Sequence, residues 1–172
     1  MVNNHRAMKV CNDKTNRYEH YTQNKLKPIK YDAKAVTIFH QNICGLPNKK
    51  EELLHSLTEH PAHIICPTEH HLQDELECMT FNKYTLGAKF CRKAHKGGGV
   101  CILIEEISHF ANINMDKYSK EMDIEICAIN IVTPSCAIVV VTIYRSTTGD
   151  VTYFLNTLET AIDQLYNNTT NN

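Results

Sequence analysis

The sequence lacks several features that would each identify a class of protein. Its 172 residues have a formal net charge of −1, so no overall basic field indicates nucleic acid or an anionic membrane as a partner. No apolar run is long enough to span a membrane, and the first residues contain no apolar core of a secretory signal. These absences predict a nuclear or cytoplasmic protein that is not secreted and has no membrane partner.

Closely spaced cysteine pairs are also missing. The eight cysteines form no Cys-x-x-Cys motif. Four of them stand inside or beside apolar, strand-like runs: Cys66, Cys101, Cys127 and Cys136. A thiol in such a position behaves as a small hydrophobic side chain. In a chain that stays inside the cell, the pattern predicts buried free thiols rather than a disulfide framework.

What the chain does have is the composition of one globular domain, with 42% hydrophobic and 22% charged residues. Residues 1–34 are polar and show no clear period, which predicts a poorly ordered N-terminal extension. Residues 167–172 are predicted to be a polar tail. The domain is therefore expected to cover residues 35–166.

Six strands and two helices are predicted within this domain. The strands are expected at 36–42, 62–67, 84–91, 100–104, 124–132 and 137–144, and the helices at 50–60 and from about 150 to 166. A short helix or turn is expected at 73–79, and 107–120 is expected to be irregular. The last helix places Phe154, Leu158, Ile162 and Leu165 on one apolar stripe, and Asp150 or Thr148 can cap it. This order favours an α/β fold, either a mixed sheet or two stacked sheets covered by helices.

Polar side chains follow three of the predicted strands. Asn42 ends the first strand, Glu69 follows the second, and Tyr144 and Arg145 end the last. Ligands of α/β proteins collect outside the carboxyl ends of strands. An amide, a carboxylate, a phenol and a guanidinium could together hold a divalent metal ion and a phosphate. The alternative is a solvated strand end at Glu69 and a surface charge at Arg145, which composition alone favours.

A zinc site is a second possibility in the same region. Histidines and a cysteine crowd together there: His60, His63, Cys66, His70 and His71. His63 and Cys66 are three residues apart on a predicted strand, so their side chains point to opposite faces. No second cluster has the spacing of zinc ligands, and zinc is therefore disfavoured.

A glycine run and a basic loop offer two weaker signals. Gly97-Gly98-Gly99 precedes a strand, and no Gly-Lys-Ser/Thr follows it. A flexible entry into that strand is therefore favoured over a phosphate-binding loop. The loop with Arg92 and Lys93 could contact a nucleic-acid backbone, although a solvated turn explains it equally well.

Four short motifs occur in an order that resembles a known family. They are Gln41-Asn42-Ile43-Cys44-Gly45-Leu46, Ile64-Ile65-Cys66-Pro67-Thr68-Glu69-His70, Gly97-Gly98-Gly99-Val100 and Ile143-Tyr144-Arg145-Ser146. Together they resemble the endonuclease/exonuclease/phosphatase family, specifically the endonuclease domain of LINE-type (non-LTR, jockey-like) retrotransposon polyproteins. The resemblance covers about residues 35–166.

The resemblance implies a four-layered α/β sandwich and Mg²⁺-dependent hydrolysis of a phosphodiester, which nicks target DNA to prime reverse transcription. It implies that Glu69 is the metal-binding glutamate, that Asn42 lies near metal and phosphate, and that Tyr144 orients the scissile phosphate. Arg145 follows Tyr144 in the family's usual place. Arg92 and Lys93 are further candidates for contact with DNA, the implied partner. No small-molecule cofactor is expected besides the metal.

The last part of the chain departs from the family pattern. The family continues with a Gly-Asp-x-Asn signature and a late Ser-Asp-His, but here no Asp-x-Asn follows Tyr144 and no histidine follows His109. The chain is therefore expected to be a partial sandwich whose C-terminal part is missing. Because hydrolysis needs a positioned water, a general base and charge stabilisation, the chain alone is expected to be inactive or nearly so.

Two further expectations follow from these departures. Pro67 removes a backbone donor just before Glu69 and is expected to bend the strand and shift the carboxylate. The alternative to a truncated endonuclease is a non-catalytic remnant with, at most, weak metal or non-specific nucleic-acid binding.

Overall fold

The computed structural model describes residues 36–73, 81, 83–106, 109–132 and 136–170. In chain order its elements are β1 (Ile38–Asn42), α1 (Leu46–Glu59), β2 (Ile64–Thr68), β3 (Tyr84–Phe90), β4 (Val100–Glu105), β5 (Phe110–Ile113), a short 3-10 helix (Asp116–Tyr118), β6 (Glu125–Val132), β7 (Ala137–Tyr144) and α2 (Val151–Thr170). The extension predicted at 1–34 and most of the element predicted at 73–79 lie outside the described residues.

The strands form two sheets. The first has the order β1-β2-β4-β3, in which β1 and β2 are parallel and the other pairs are antiparallel. The second sheet is antiparallel, with the order β5-β6-β7. Because α1 connects the parallel pair, the carboxyl ends of β1 and β2 meet at one edge of the first sheet. This arrangement places the positions after both strands side by side.

Three apolar clusters define four layers. One cluster joins α1 to the outer face of the first sheet, and its largest buried members include Leu46, Leu53, Ile65 and Leu103. The second cluster lies between the sheets and includes Ile64, Val100, Ile102, Ile104, Ile129 and Ile131. The third joins α2 to the outer face of the second sheet through Ile124, Ile126, Ala128 and Ala161. The prediction of a four-layered α/β sandwich is confirmed.

Strand β4 shows why a continuous apolar run was a sound signal for a central strand. Val100, Ile102 and Ile104 face the second sheet, whereas Cys101 and Leu103 face α1. Both faces of the strand are therefore covered, and an alternation of apolar and polar residues is not needed. The run delivers apolar side chains to two layers of the core at once.

The structure corrects the predicted bounds of several elements. α1 begins at Leu46 rather than at residue 50, and Pro47 lies in its first turn, where the missing N–H of a proline is tolerated. The stretch predicted to be irregular contains β5, which pairs with β6. α2 continues to Thr170, beyond the predicted end at 166. Pro67 stands inside β2, between β1 and β4, so it does not end the strand.

The apolar stripe of α2 also differs from the prediction by one residue. Phe154, Leu158 and Leu165 pack in the cluster around Ala161, but 53% of Ile162 is exposed. Each step of four residues turns a helix by about 40° beyond a full circle, so Ile162 has rotated off the stripe that begins at Phe154. Ala161, one residue earlier, takes its place. Asp150 caps the helix as predicted, because its Oδ1 accepts a hydrogen bond from the Tyr153 amide at 2.9 Å.

Cys44, Cys66, Cys101 and Cys127 are free thiols. Cys66, Cys101 and Cys127 are buried, which confirms the prediction for them, whereas Cys136 is half-buried. Burial raises the pKa of the Cys66 thiol to about 11, so it remains protonated at neutral pH. Among the described helices, none has the length and apolar character needed to cross a membrane.

Candidate functional site

The loops that leave β1 and β2 are joined by backbone hydrogen bonds that continue past the strands. The amide of Ile43 donates to the carbonyl of Thr68 at 2.9 Å, and the amide of Gly45 donates to that of Glu69 at 2.8 Å. These backbone hydrogen bonds hold the two chain segments against each other. Asn42 and Glu69 are therefore positioned by backbone, not only by contacts between their side chains.

The carboxylate of Glu69 accepts hydrogen bonds from three side chains. Asn42 Nδ2 donates to Oε1 at 2.9 Å, and Cys44 Sγ donates to Oε2 at 3.1 Å. The Tyr144 hydroxyl donates to the same carboxylate. Burial works to raise the pKa of Glu69, but the hydrogen bonds from Tyr144, Asn42 and Cys44 outweigh it and lower the pKa to about 2. Glu69 is an anion at neutral pH.

Tyr144 reaches this carboxylate from the second sheet, since it is the last residue of β7. Burial, together with the hydrogen bond to Glu69 and the negative charge there, raises the pKa of Tyr144 to about 12. The phenol therefore remains protonated and can donate. The structure thus brings together Asn42, Glu69 and Tyr144, three residues that the sequence selected separately.

Arg92 does not lie on the surface, where a contact with DNA would require it. Only 5% of the residue is exposed, and its Nε donates to Oε1 of the fully buried Glu125 at 2.6 Å. A second guanidinium nitrogen donates to the carbonyl of Lys96 at 3.2 Å. Its Cζ is 5.9 Å from the centre of the Tyr144 ring. Arg92 therefore supports the loop and Tyr144 from inside the protein, contrary to the expectation from its basic loop.

The other two basic candidates have different surroundings. Lys93 is exposed, and its backbone amide donates to Oε1 of Glu121 at 2.5 Å. Arg145 follows Tyr144 but folds back on the loop before α2, where its guanidinium donates to the carbonyls of Ser146 at 2.8 Å and Gly149 at 2.9 Å. Neither side chain contacts Glu69 through a described hydrogen bond or ion pair.

The three glycines before β4 serve close packing. All three have positive φ, a backbone conformation that residues with a side chain rarely adopt. A Cβ on Gly98 would lie 2.1 Å from Nε of Arg92, and one on Gly99 would lie 2.4 Å from the His70 ring. The Gly99 amide donates to Oε2 of Glu125 at 2.5 Å. The three glycines therefore allow close packing inside the protein. This agrees with the sequence analysis, in which the glycine run matched a phosphate-binding loop only weakly.

The two histidines after Glu69 have opposite environments. His70 is fully buried, its Nδ1 accepts from the Leu72 amide at 3.0 Å, and its Nε2 lies 3.1 Å from the carbonyl of Phe90. Burial lowers the pKa of His70 to about 4, so the ring is neutral and both nitrogens are engaged. His71 lies at the rim of the site, with its Nε2 3.6 Å from Oε2 of Glu69.

The sequence analysis counted His71 among the crowded histidines, but it did not select Cys44 as a neighbour of Glu69. The ligand atoms of Cys44, Glu69 and His71 all lie within 4.8 Å of one another. Cys44 lies in a turn 25 residues before Glu69. Its contact with Glu69 exists only because backbone hydrogen bonds join the loops after β1 and β2. No spacing rule connects positions in separate loops, so pattern analysis could not have paired Cys44 with Glu69.

A single divalent cation fits the donor atoms at this edge. Mg²⁺ is held in proteins by one or two carboxylates and completes its shell with water and phosphate oxygens. The ionised Glu69 supplies the carboxylate, and the Asn42 amide carries an oxygen next to it. Cys44 and His71 add sulfur and nitrogen atoms, which Mg²⁺ does not favour.

A cavity of about 330 Å³ lies elsewhere in the structure. Strands β3 and β5, the segment that follows β5, and β6 line it with residues that include Gly87, Asn112 and Met115. None of the side chains around Glu69 takes part in it. The candidate site is therefore defined by the polar groups at the strand ends and not by a cavity.

The four layers form an α/β sandwich with the fold of endonuclease/exonuclease/phosphatase domains. A solved structure with this fold is the "Endonuclease domain of TRAS1, a telomere-specific non-LTR retrotransposon". The two superpose with a TM-score of 0.53 at 12% sequence identity, over 71% of this chain and 51% of that chain.

These comparisons show a shared fold. This chain spans about half the length of the TRAS1 domain structure. No family model matches the sequence, and no curated protein matches it.

Proposed function

We propose that this chain provides the metal-binding and phosphate-binding side of a nuclease site of the LINE-type retrotransposon class, with DNA as the nucleic acid. The observation on which the proposal rests is the ionised Glu69, which Asn42 and Tyr144 contact at the edge where β1, β2 and β7 end. The fold shared with the TRAS1 endonuclease domain supports the same function.

Each residue has a role that its surroundings allow. Glu69 would hold a divalent cation, Mg²⁺ by resemblance, and Asn42 fixes the carboxylate and would help to hold the same cation. Tyr144, protonated because of its high pKa, donates to a phosphate oxygen when the substrate is present. Lys93 and Arg145 provide positive charge beside the site, and Arg145 does so by turning away from its loop carbonyls. A cation bound there neutralises charge that develops on the phosphate.

We also propose that the 172-residue chain by itself has little or no nuclease activity. The groups described around Glu69 bind and orient, but the sequence has no Asp-x-Asn after Tyr144 and no histidine after His109. In the resembled family those motifs handle the attacking water and the leaving group. Loss of one such group commonly costs a factor of about 10² or more, so the loss of several leaves almost no turnover.

The second candidate is a non-catalytic remnant with, at most, weak metal or non-specific nucleic-acid binding. The burial of Arg92 and the internal contacts of Arg145 favour it, because they leave few basic groups to hold a phosphate backbone and so limit any binding of nucleic acid to weak binding. The two candidates differ in whether Glu69 and Mg²⁺ are needed for binding.

Two measurements on the purified chain test the proposal. The first is nicking of supercoiled plasmid in Mg²⁺, with no activity expected above that of Glu69→Ala. The second is the anisotropy of a labelled DNA duplex, for which Mg²⁺ should strengthen binding. Glu69→Ala should weaken the Mg²⁺-dependent binding about tenfold or more, since it removes the anionic ligand. Tyr144→Phe should weaken it less, because one neutral donor is lost.

Glu106→Ala is the matched control, since Glu106 is exposed beyond the opposite end of β4 and should leave DNA binding unchanged. DNA binding that depends on neither Mg²⁺ nor Glu69 would contradict the metal site and would support the second candidate, the non-catalytic remnant. Nicking that depends on Glu69 would contradict the proposed inactivity.

A further inference from the structure

A thiol, a carboxylate and an imidazole meet at the rim of the site. Cys44 Sγ is 3.1 Å and His71 Nε2 is 3.6 Å from the same oxygen, Oε2 of Glu69. All three ligand atoms lie within 4.8 Å of one another. Tetrahedral zinc, with bonds of about 2.0–2.3 Å, holds its ligand atoms roughly 3.3–3.8 Å apart. The trio therefore stands close to the spacing of zinc ligands.

The three donors differ from those that a Mg²⁺ site needs. Mg²⁺ takes oxygen atoms, whereas thiolate and imidazole nitrogen suit a softer cation such as Zn²⁺. Zinc sites with an open position typically use three protein ligands drawn from cysteine, histidine and carboxylate. Cys44, His71 and Glu69 supply one of each. The chemistry of the set thus matches zinc better than the hard cation that the fold suggests.

The backbone at all three positions has an unusual conformation. Cys44, Glu69 and His71 have φ values of 49°, 54° and 60°, and the described residues contain one other non-glycine residue with positive φ, Met122. Residues with side chains rarely adopt this left-handed conformation, and where they do, it is often at ligand clamps and active sites. Here it turns three side chains from two loops toward one point.

The His71 ring is held in place before any cation arrives. It lies between two glycines: a Cβ on Gly45 would be 3.5 Å from its Nδ1, and one on Gly97 would be 3.5 Å from its Nε2. The His71 amide donates to the carbonyl of Gly98 at 2.9 Å, which fixes the backbone below the ring. The side chains of His71 and Glu69 remain 35% and 18% exposed, so a cation can enter from solvent.

We propose that Cys44, Glu69 and His71 form a three-ligand Zn²⁺ site whose fourth position is open to water or to another oxygen ligand. On binding, the hydrogen bond between the Cys44 thiol and Glu69 is replaced by sulfur–zinc and oxygen–zinc bonds, and the thiol proton leaves to solvent. The site shares Glu69 with the proposed nuclease function, so Zn²⁺ there occupies the carboxylate that Mg²⁺ would use. It does not depend on that function, because binding needs no nucleic acid.

Cobalt(II) is the probe for the test, because it enters zinc sites and absorbs light when bound to thiolate. The full chain, kept reduced and free of metal, is titrated with Co²⁺. We expect one equivalent to bind with a sulfur-to-cobalt charge-transfer band in the near ultraviolet. Added Zn²⁺ should remove the band at one equivalent, whereas a large excess of Mg²⁺ should leave it.

Matched variants separate this site from the other thiols and histidines of the chain. Cys44→Ser should abolish the charge-transfer band and weaken Zn²⁺ binding at least about tenfold, and His71→Asn should weaken it by a similar factor. Cys136→Ser removes a half-buried thiol just before β7 and should change neither. Because Cys44 is exposed, its replacement should preserve the fold, which far-ultraviolet circular dichroism of the metal-free protein checks.

Three outcomes would overturn the zinc site: no charge-transfer band, a band that survives Cys44→Ser, or a band that Cys136→Ser removes. Failure of the proposed nuclease function looks different. In that case the DNA-binding measurement no longer depends on Glu69 and Mg²⁺, while the cobalt band and its sensitivity to Cys44→Ser persist.

Discussion

Neighbouring residues of the site differ sharply in what surrounds them. His70 is enclosed and engages both ring nitrogens with backbone groups, whereas His71 faces the solvent beside Glu69. The neutral His70 ring suits its partners, because one nitrogen accepts from the Leu72 amide and the other can donate to the carbonyl of Phe90. A second proton would remove the acceptor and place a charge in the core.

Because His70 is enclosed, the free energy of unfolding should decrease as the pH becomes mildly acidic. The folded pKa of His70 is about 4 and its unfolded value is near 6.5, so above pH 6.5 both states are neutral and the full stability is present. As the pH falls from 6.5 toward 4, only the unfolded chain gains the proton, and up to about 3 kcal/mol is lost. Urea midpoints measured across this range should fall with pH.

The variant that isolates this effect is His70→Gln, which cannot titrate. It should be less stable at neutral pH, because its shorter polar group cannot reproduce both hydrogen bonds, yet its midpoint should vary much less between pH 6.5 and 4.5. Parallel curves for the two proteins would show that another group causes the dependence. His71→Asn, at the exposed rim, should keep the slope of the unsubstituted chain.

Single residues also show what could be predicted from the sequence. Asn42, Glu69 and Tyr144 were selected because each ends or follows an apolar strand, and the structure brings them into contact. Arg92 was misplaced because a basic loop looks the same whether its arginine faces solvent or a buried carboxylate. Its partner Glu125 is 33 residues away, at the start of β6. Such pairings depend on tertiary contacts that no local pattern contains.

At the scale of elements, a buried ion pair connects the two sheets. Glu125 begins β6, and it binds both Arg92, from the loop after β3, and the amide of Gly99, just before β4. The pair therefore fixes the long β3–β4 loop against the second sheet. Arg92 also lies beside the Tyr144 ring, so the same contact supports the residue that reaches Glu69.

Removal of one partner of this pair should be costly. Glu125→Gln leaves the buried Arg92 charge uncompensated and should lower the free energy of unfolding by about 3–5 kcal/mol, as measured by urea denaturation. The double variant Glu125→Leu with Arg92→Met should cost less than the sum of the two single changes. Lys83→Met is the control, since the Lys83–Glu105 pair is exposed on the lysine side and should contribute less than about 1 kcal/mol. Equal losses in the free energy of unfolding at the Arg92–Glu125 and Lys83–Glu105 pairs would contradict the claim that burial makes the first pair more important for stability.

Elements were predictable where their signal was long. The runs of β4, β6 and β7 and the two helices were readable because several turns or strand residues repeat one pattern. β5 was missed because it contains four residues, Phe110–Ile113, of which two are exposed. Its pairing with β6, rather than its own sequence, makes it a strand. The start of α1 was misjudged because Gly45 and Pro47 signal a turn as readily as the first turn of a helix.

On the scale of the whole molecule, the described sandwich leaves apolar surface and a sheet edge uncovered. Four side chains at helical spacing, Val151, Leu155, Ile162 and Tyr166, are more than half exposed on one side of α2. β7 is the last strand of its sheet in the described part of the chain. Exposed apolar stripes and free strand edges favour association with other chains.

The purified chain should therefore self-associate as its concentration rises, which sedimentation velocity can measure. Leu155→Glu with Ile162→Glu should reduce this association while it changes the thermal midpoint little, because both side chains are already exposed. Thr160→Glu, at an exposed position on another side of α2, should leave the association unchanged. A chain that remains monomeric at all concentrations would contradict the prediction.

The hydrogen bond from Tyr144 to Glu69 joins groups that belong to different sheets, since Tyr144 ends β7 and Glu69 follows β2. Any cation that binds Glu69 alters the same carboxylate to which the second sheet is attached. Thermodynamic linkage is reciprocal: a ligand that changes how firmly the two sheets associate must have its own affinity changed by the same factor. Binding of a cation at Glu69 and association of the two sheets are consequently coupled equilibria.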